Sequence, residues 1–249
     1  MNKVALVTGG AKRVGRAIAL TLAQAGYDIA FTWNKSKQEA QELEKIISLI
    51  GRKVVSVQVD KNDPDAIEII FDQFNKKFNR LDALINNASC FEPSTFGEIN
   101  KQQFDRDMTI NARAPLFLTQ KFSTMLAARY KKNDPSSTGR VVNFIDTHVL
   151  GETLREYTSY NASKAALLEI TNSCALELAP KITVNAIAPG VVAWADFYTE
   201  ETKKEYLKRV PLARAGSEED AASAVKYLIV DAHYCTGQVI QVDGGRHLT

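Results

Sequence analysis

Tyr160 and Lys164 stand four residues apart in TSYNASK (158–164), a spacing that puts both side chains on one helix face. A cation beside a phenol favours the phenolate. It draws the tyrosine pKa down from its reference of about 10 and makes Tyr160 a proton donor near neutral pH. Taken alone, the pair is common on helix surfaces. Just upstream, an apolar segment, VVNFI (141–145), ends in a carboxylate and a hydroxyl, Asp146 and Thr147. The two suit different bonds. A hydroxyl donates a hydrogen bond to a carbonyl oxygen on which negative charge grows, and a carboxylate there repels that charge. A C=N bond is reduced more easily when protonated, so an ionised Asp stabilises the cation and a protonated Asp delivers the proton.

A second group of residues suits a phosphate. TGGAKRVG (8–15) follows the first apolar run and precedes a helical pattern. Glycines there permit a tight turn and close approach of backbone to a pyrophosphate, and a helix N-terminus offers free N–H groups. The second apolar run ends in TWNKS (32–36). An NAD site usually carries Asp or Glu near this point for the ribose hydroxyls. Asn34, Lys35 and Ser36, with Lys12 and Arg13 in the first loop, suit a 2′-phosphate instead, so NADPH is expected over NADH. Solvated surface lysines are the plain alternative for Lys12 and Lys35. Asn86 and Asn87 follow the fourth run, Asn111 falls in the next helix, and Pro189-Gly190 closes the sixth run.

Seven short, β-branched runs must position these groups: 3–7, 28–31, 54–59, 83–86, 140–145, 183–188 and 238–242. Amphipathic stretches such as 16–25 and 38–50 lie between them. This alternation predicts one α/β domain over 1–249, a Rossmann-type doubly wound parallel sheet of about seven strands with helices on both faces. Strands covered on both sides read as continuous apolar runs, and ligands bind at their carboxyl ends where strand order reverses. KKNDPSSTG (131–139) reads as a loop.

The composition, 45% hydrophobic and 24% charged over 249 residues, is that of a soluble globular chain. A net charge of +2 without a long basic run argues against a nucleic-acid partner. Cys90, Cys174 and Cys235 have no metal-ligand spacing and read as thiols in a reducing compartment; no metal is expected. No apolar run reaches membrane length, and KVALVTGG begins at residue 3, so a cytoplasmic protein without leader or membrane contact is expected.

TGGAKRVG, NNAS, INA, YNASK, IAPG and QVDGG, in this order along essentially the whole chain, resemble the short-chain dehydrogenase/reductase family. The resemblance implies bound NADP(H) and usually a homotetramer. It implies Tyr160 as proton donor, Lys164 on the nicotinamide ribose and Asn111 holding a relay water. Around the cofactor it implies Gly9, Arg13, Val14 and Gly15 after strand one, Asn34, Lys35 and Ser36 after strand two, and Asp60 after strand three. Asn87, Ala88 and Ser89 follow strand four, and Pro189 and Gly190 close strand six. Arg13 replaces the middle glycine of the common TGxxxGxG pattern, and Asn87-Ala88-Ser89, followed by Cys90-Phe91, replaces Asn-Ala-Gly. Both departures, with VNFID and the ending DGGRHLT, are similar to pteridine reductases and dihydromonapterin or dihydrofolate reductases. There the arginine and serine contact cofactor phosphate and pterin, the phenylalanine stacks on the pterin, and an Asp stands before the tyrosine. Trp194 is a further candidate for the pocket wall.

Ketone reductases of this family carry Ser or Thr about thirteen residues before the tyrosine. Thr147 lies thirteen before Tyr160 and Asp146 fourteen. Counting back from the tyrosine selects Thr147 and a carbonyl reductase, such as one acting on 3-oxoacyl thioesters. Counting forward from the strand selects Asp146, with one extra residue in the loop 148–157. The strand is the firmer reference, because loops absorb insertions whereas a one-residue strand slip reverses every side chain. The expected activity is therefore NADPH-dependent reduction of a dihydropterin or dihydrofolate. A regulatory protein that binds NADPH without turnover would not need Tyr160, Lys164 and Asn111 together.

Overall fold

The structure, a computed structural model, describes residues 2–60, 62–63, 65–132, 134, 137–195 and 198–249. Seven strands form one parallel sheet in the order β3-β2-β1-β4-β5-β6-β7: β1 (Val4–Val7), β2 (Asp28–Trp33), β3 (Val54–Gln58), β4 (Ala83–Asn86), β5 (Gly139–Phe144), β6 (Ile182–Pro189) and β7 (Val239–Val242). The expected fold class is borne out. All four residues of β1, VALV, are buried, as a strand covered by helices on both faces must be. On one face α1 (Arg13–Gln24), α2 (Lys37–Leu49) and α8 (Glu218–Lys226) seat Ile18, Leu22, Leu43, Ile47 and Val225 against the sheet. On the other, α3 (Ala66–Lys77) and α5 (Ala114–Ala127) bring Phe71, Phe74, Phe122 and Leu126. Two more helices, α4 (Lys101–Met108) and α7 (Glu200–Lys208), flank the carboxyl edge, and α6 (Thr158–Leu178) carries the Tyr160–Lys164 pair.

Strand order reverses between β2-β1 and β4-β5. Pairing of Val7 with Ile85 and of Asn86 with Asn143 brings the ends of β1, β4 and β5 to one edge, so the loops at 8–12, 87–92 and 145–157 converge there. A buried polar ladder fixes this register: Asn86 Nδ2 donates to Asn143 Oδ1 (2.8 Å), and Asn143 Nδ2 to the Thr171 hydroxyl of α6 (2.9 Å).

Local differences from the sequence reading are small. Gly139, expected in a loop, opens β5; a side chain there would meet Phe122 Cζ at 2.6 Å, so glycine lets α5 close onto the sheet. Residues 133, 135 and 136 of that loop lie outside the described residues. Asn111, expected within a helix, sits in a widened π-type turn, Thr109–Arg113, between α4 and α5, a distortion common at functional sites. Among the described residues no helix is long and apolar enough to cross a membrane.

Candidate functional site

A cavity of about 550 Å³ opens at the carboxyl edge of the sheet, running from the β1–α1 turn to the loops after β5 and β6. At its first end the turn is drawn inward by β4. The Thr8 hydroxyl accepts from the backbone N–H groups of Asn87 and Ala88 (both 3.1 Å), and the Asn87 amide donates to the carbonyls of Thr8 (2.9 Å) and Gly9 (3.2 Å). Gly9 takes φ 65°. A Cβ on Gly15 would lie 2.1 Å from Gly9 O and 2.7 Å from Asn87 Nδ2, so only glycine lets α1 begin this close to the turn. The helix starts without a side-chain cap and without an acid in its first turn, which leaves N–H groups and the positive dipole end for an anion. Gly9, Lys12, Arg13, Val14, Gly15, Asn87, Ala88 and Ser89 line this part of the cavity. The donor set and the cradle kept open at Gly15 fit a dinucleotide pyrophosphate.

Arg13 has φ 52°, unusual for a residue with a side chain. Its guanidinium spans the cleft and donates to the carbonyls of Ala193 (3.0 Å) and Trp194 (2.5 Å). Lys12 pairs with Glu39 at 2.5 Å. Pro189 and Gly190 line the cavity, while Asn34, Lys35, Ser36 and Asp60 do not. Asn34 and Lys35 are exposed beyond the end of β2. Asp60 is also exposed and accepts from Asn62 N (2.9 Å) in an Asx turn.

At the other end, the Tyr160 hydroxyl donates to Asp146 Oδ2 at 2.6 Å. Both line the cavity. Asp146 Oδ1 accepts from His148 N (2.9 Å). Thr147 faces away: it is buried, and its hydroxyl donates to Asp243 Oδ2 at 2.8 Å. Asp243 also accepts from His247 Nδ1 (2.8 Å) and from the backbone N–H groups of Gly245 and His247 (both 2.9 Å). Burial works to raise the Asp243 pKa, but these donors outweigh it and hold the group below its usual value.

Lys164 is buried; its Nζ donates to Phe144 O (2.7 Å) and lies 5.7 Å from the centre of the Tyr160 ring. Burial lowers its pKa from 10.5 to about 8, against the pull of the Asp146 charge. The expected lowering of the Tyr160 pKa is not found in this structure. Burial and then the Asp146 carboxylate raise it well above 10.0, because the nearest charged partner is an anion and Lys164 is spent on a carbonyl.

Asn111, 1% exposed, joins the loop after β4 to α6. Its Oδ1 accepts from the Ser89 hydroxyl and Cys90 N (both 3.0 Å), and its Nδ2 donates to Ser163 Oγ (2.9 Å), which donates to Tyr160 O (2.7 Å). One helical turn earlier, buried Asp107 accepts from the Cys90 thiol (3.1 Å) and from Ser159. Phe91 lines the cavity. Its ring stacks on Tyr157 (4.5 Å, 12°) and meets Tyr160 edge-on (4.8 Å, 73°). The indole of Trp194 does not line the cavity; it packs against Tyr198 (5.3 Å) and Tyr206 (5.7 Å), which do. Those two tyrosines, His148, Leu154, Val191, Val192, Ala193 and Ala195 make up the rest of the wall and escaped the sequence reading. They lie in loops and in α7, whose helical spacing gives no sign of which residues turn inward. Asp196 and Phe197 of the same loop are outside the described residues.

The family model described as enoyl-(acyl carrier protein) reductase matches residues 9–247. The 3-oxoacyl-[acyl-carrier-protein] reductase FabG of Staphylococcus aureus is 32% identical over 100% of this chain and 99% of its own. Among solved structures, acetoin dehydrogenase from Enterobacter cloacae superposes with a TM-score of 0.89 at 32% identity, over 100% of this chain and 96% of that one. FolM alternative dihydrofolate reductase 1 from Brucella canis, complexed with NADP, gives 0.89 at 31% identity, over 99% and 94%.

Proposed function

The chain belongs to the short-chain dehydrogenase/reductase family, and we propose that within it the protein reduces a dihydropterin or related pteridine to the tetrahydro form with NADPH. The observation that carries this reading is the 2.6 Å hydrogen bond from Tyr160 to Asp146 on the cavity wall, with Thr147 turned to Asp243. A carboxylate is the wrong partner for a growing oxyanion and the right one for a protonated C=N. The likeness to FolM, solved with NADP, supports both cofactor and substrate class.

NADPH supplies the hydride when bound. The N-terminus of α1 with Gly9, Arg13, Val14 and Gly15 holds the pyrophosphate. Asn34, Lys35 and Ser36 hold the 2′-phosphate, with Asp60, Asn87, Ala88, Pro189 and Gly190 around the rest. The Tyr160 hydroxyl donates its proton to Asp146 in a short, charge-assisted bond. A substrate nitrogen placed beside them takes that proton, and the carboxylate stabilises the cation as it forms. Lys164, in contact with the Tyr160 ring face, balances the negative charge left on the pair and binds the ribose. Asn111 keeps the loop bearing Ser89 and Phe91 in register with α6. Phe91 gives the flat pteridine an aromatic neighbour, and Ser89 and Arg13 contact both cofactor and substrate. A cytoplasmic homotetramer belongs to the same proposal and rests on the family resemblance.

Reduction of a 3-oxoacyl thioester is the second reading, favoured by 32% identity to FabG along the whole chain. Turnover of 7,8-dihydrobiopterin, dihydrofolate and an acetoacetyl thioester, side by side with NADPH, separates the two. The pteridines should lead by about tenfold or more in kcat/KM, a difference of ~1.4 kcal/mol. A thioester as the best substrate overturns the pteridine reading.

A further inference from the structure

We propose that His148 is a specificity-determining residue. It accepts a hydrogen bond from the substituent on the carbon that receives hydride, so the site selects dihydropterins with a hydroxylated side chain. The inference rests on the pteridine reading of the same cavity.

His148 lines the cavity directly beside Asp146, whose Oδ1 its backbone N–H reaches at 2.9 Å. Its ring Nδ1 lies 2.8 Å from the backbone carbonyl of Glu152. A carbonyl only accepts, so Nδ1 carries a proton, and the neutral tautomer this contact selects has Nε2 as its acceptor. That nitrogen has no hydrogen-bond partner among the described residues. The tautomer is set by a well-anchored partner. The Glu152 carboxylate is bound by Arg209 and by buried Arg246 (3.1 Å), and Arg246 Nη1 is tied to Thr249 O (2.7 Å). The carbonyl that fixes the imidazole is therefore held from the C-terminal side of the fold.

Substrate chemistry places a group against this nitrogen. In a 7,8-dihydropterin the reducible bond joins N5 to C6, and C6 bears the side chain. With that bond beside Tyr160 and Asp146, the side chain lies one bond away, against the neighbours of Asp146. Leu154 is an apolar member of that wall and His148 a polar one. Asp146 Oδ2 is engaged by Tyr160 and Oδ1 by His148 N, so Nε2 is an acceptor beside them open to a side-chain hydroxyl.

The test compares kcat/KM for two 7,8-dihydropterins, one with a 1,2-dihydroxypropyl group at C6 and one with methyl. The wild-type protein should prefer the hydroxylated substrate by about tenfold, the scale of one hydrogen bond. His148→Leu should bring the ratio close to one, chiefly through KM. His148→Gln, whose amide oxygen can accept, should retain a preference of about threefold, and an NADPH titration of each variant checks that the site is folded. A wild-type ratio of one, or a ratio unchanged in His148→Leu, would show that His148 serves only to tether the loop, and overturns the inference while the pteridine reading stands. Turnover of the thioester with neither pterin reduced overturns that reading and this one together.

Discussion

Asp146→Asn keeps the side-chain shape and removes both the negative charge and the capacity to hold a proton. In the structure that carboxylate accepts from Tyr160 at 2.6 Å and from His148 N at 2.9 Å. Asparagine's one amide oxygen can replace one of these two acceptors, and an NH2 donor stands where the other was, so a hydrogen bond is lost together with the charge. A hydrogen bond to a charged group contributes about 1.5–3 kcal/mol. A unit charge about 4 Å from a forming cation contributes ~4 kcal/mol at an effective dielectric constant of ~20. The two terms overlap, so the larger sets the scale: kcat for a dihydropterin should fall by about 10²–10³. On a ketone or thioester the same substitution should raise turnover, because it removes a charge that repels the oxyanion. Thr147→Val is the control. It removes one of four bonds to Asp243 at a cost of about 1–3 kcal/mol. Tm should drop by roughly 2–10 °C, while dihydropterin turnover stays within a few-fold of wild type. Steady-state kinetics on both substrate classes, with thermal melts, decide the matter. A dead Thr147→Val beside an active Asp146→Asn would refute the assignment and return the protein to carbonyl chemistry.

Three further outcomes follow from the same geometry. Tyr160→Phe should lower turnover by about 10² or more, the scale of a lost general acid, with NADPH affinity by fluorescence titration little changed; wild-type turnover would remove Tyr160 from the chemistry. With Lys164 at about 8 and Tyr160 well above 10.0, kcat/KM for NADPH should fall on the alkaline side near pH 8 as the lysine loses its proton. Because the Asp146 charge holds the Lys164 value up, Asp146→Asn should move that limb to lower pH, and a limb that stays or rises contradicts the coupling. Gly15→Ala drives a Cβ to within 2.1 Å of Gly9 O, so NADPH affinity should weaken by at least about tenfold, or ~1.4 kcal/mol; unchanged binding would mean that the turn is looser than its geometry states.

The fold was legible because its strands are buried on both faces. VALV and ALIN are wholly buried in the structure and carry no alternation, which in a chain with intervening helical patterns leaves few arrangements besides a parallel sheet. The Gly9–Gly15 turn was legible because it directly follows β1, and Tyr160 with Lys164 because four-residue spacing marks one helix face whatever the length of the loop before it. The protonation of Tyr160 was not. Four-residue spacing puts Lys164 near the ring, but the direction of a pKa shift depends on what else is near and on burial. Neither the bond from Lys164 to Phe144 O nor the carboxylate at 2.6 Å can be counted along the chain. Tyr198 and His148 were illegible because a loop brings residues to a cavity by its path through space, which carries no period, and Tyr206 because the spacing of α7 does not say which of its faces meets the cavity.

Asp146 and Thr147 show why strand ends are better rulers than motif spacings. Asp146 leaves β5 in extended conformation, with φ −147° and ψ 147°, so it and Thr147 point to opposite sides as neighbours on a strand do. One side is the cavity; the other is the space below β7, where Asp243 collects its four donors. The loop from 148 to 157 could gain or lose a residue and change the distance to Tyr160 in sequence without altering which side each faces. A shift of one residue within β5 would exchange them, presenting a hydroxyl to the cavity and burying a second carboxylate against Asp243. Two carboxylates in one buried site cannot both ionise without large cost, so such a slip would be penalised in stability as well as in chemistry. The arrangement of acid and hydroxyl is thus held by the electrostatics of the C-terminal segment as firmly as by the strand, and the carboxylate beside Tyr160 is a consequence of both.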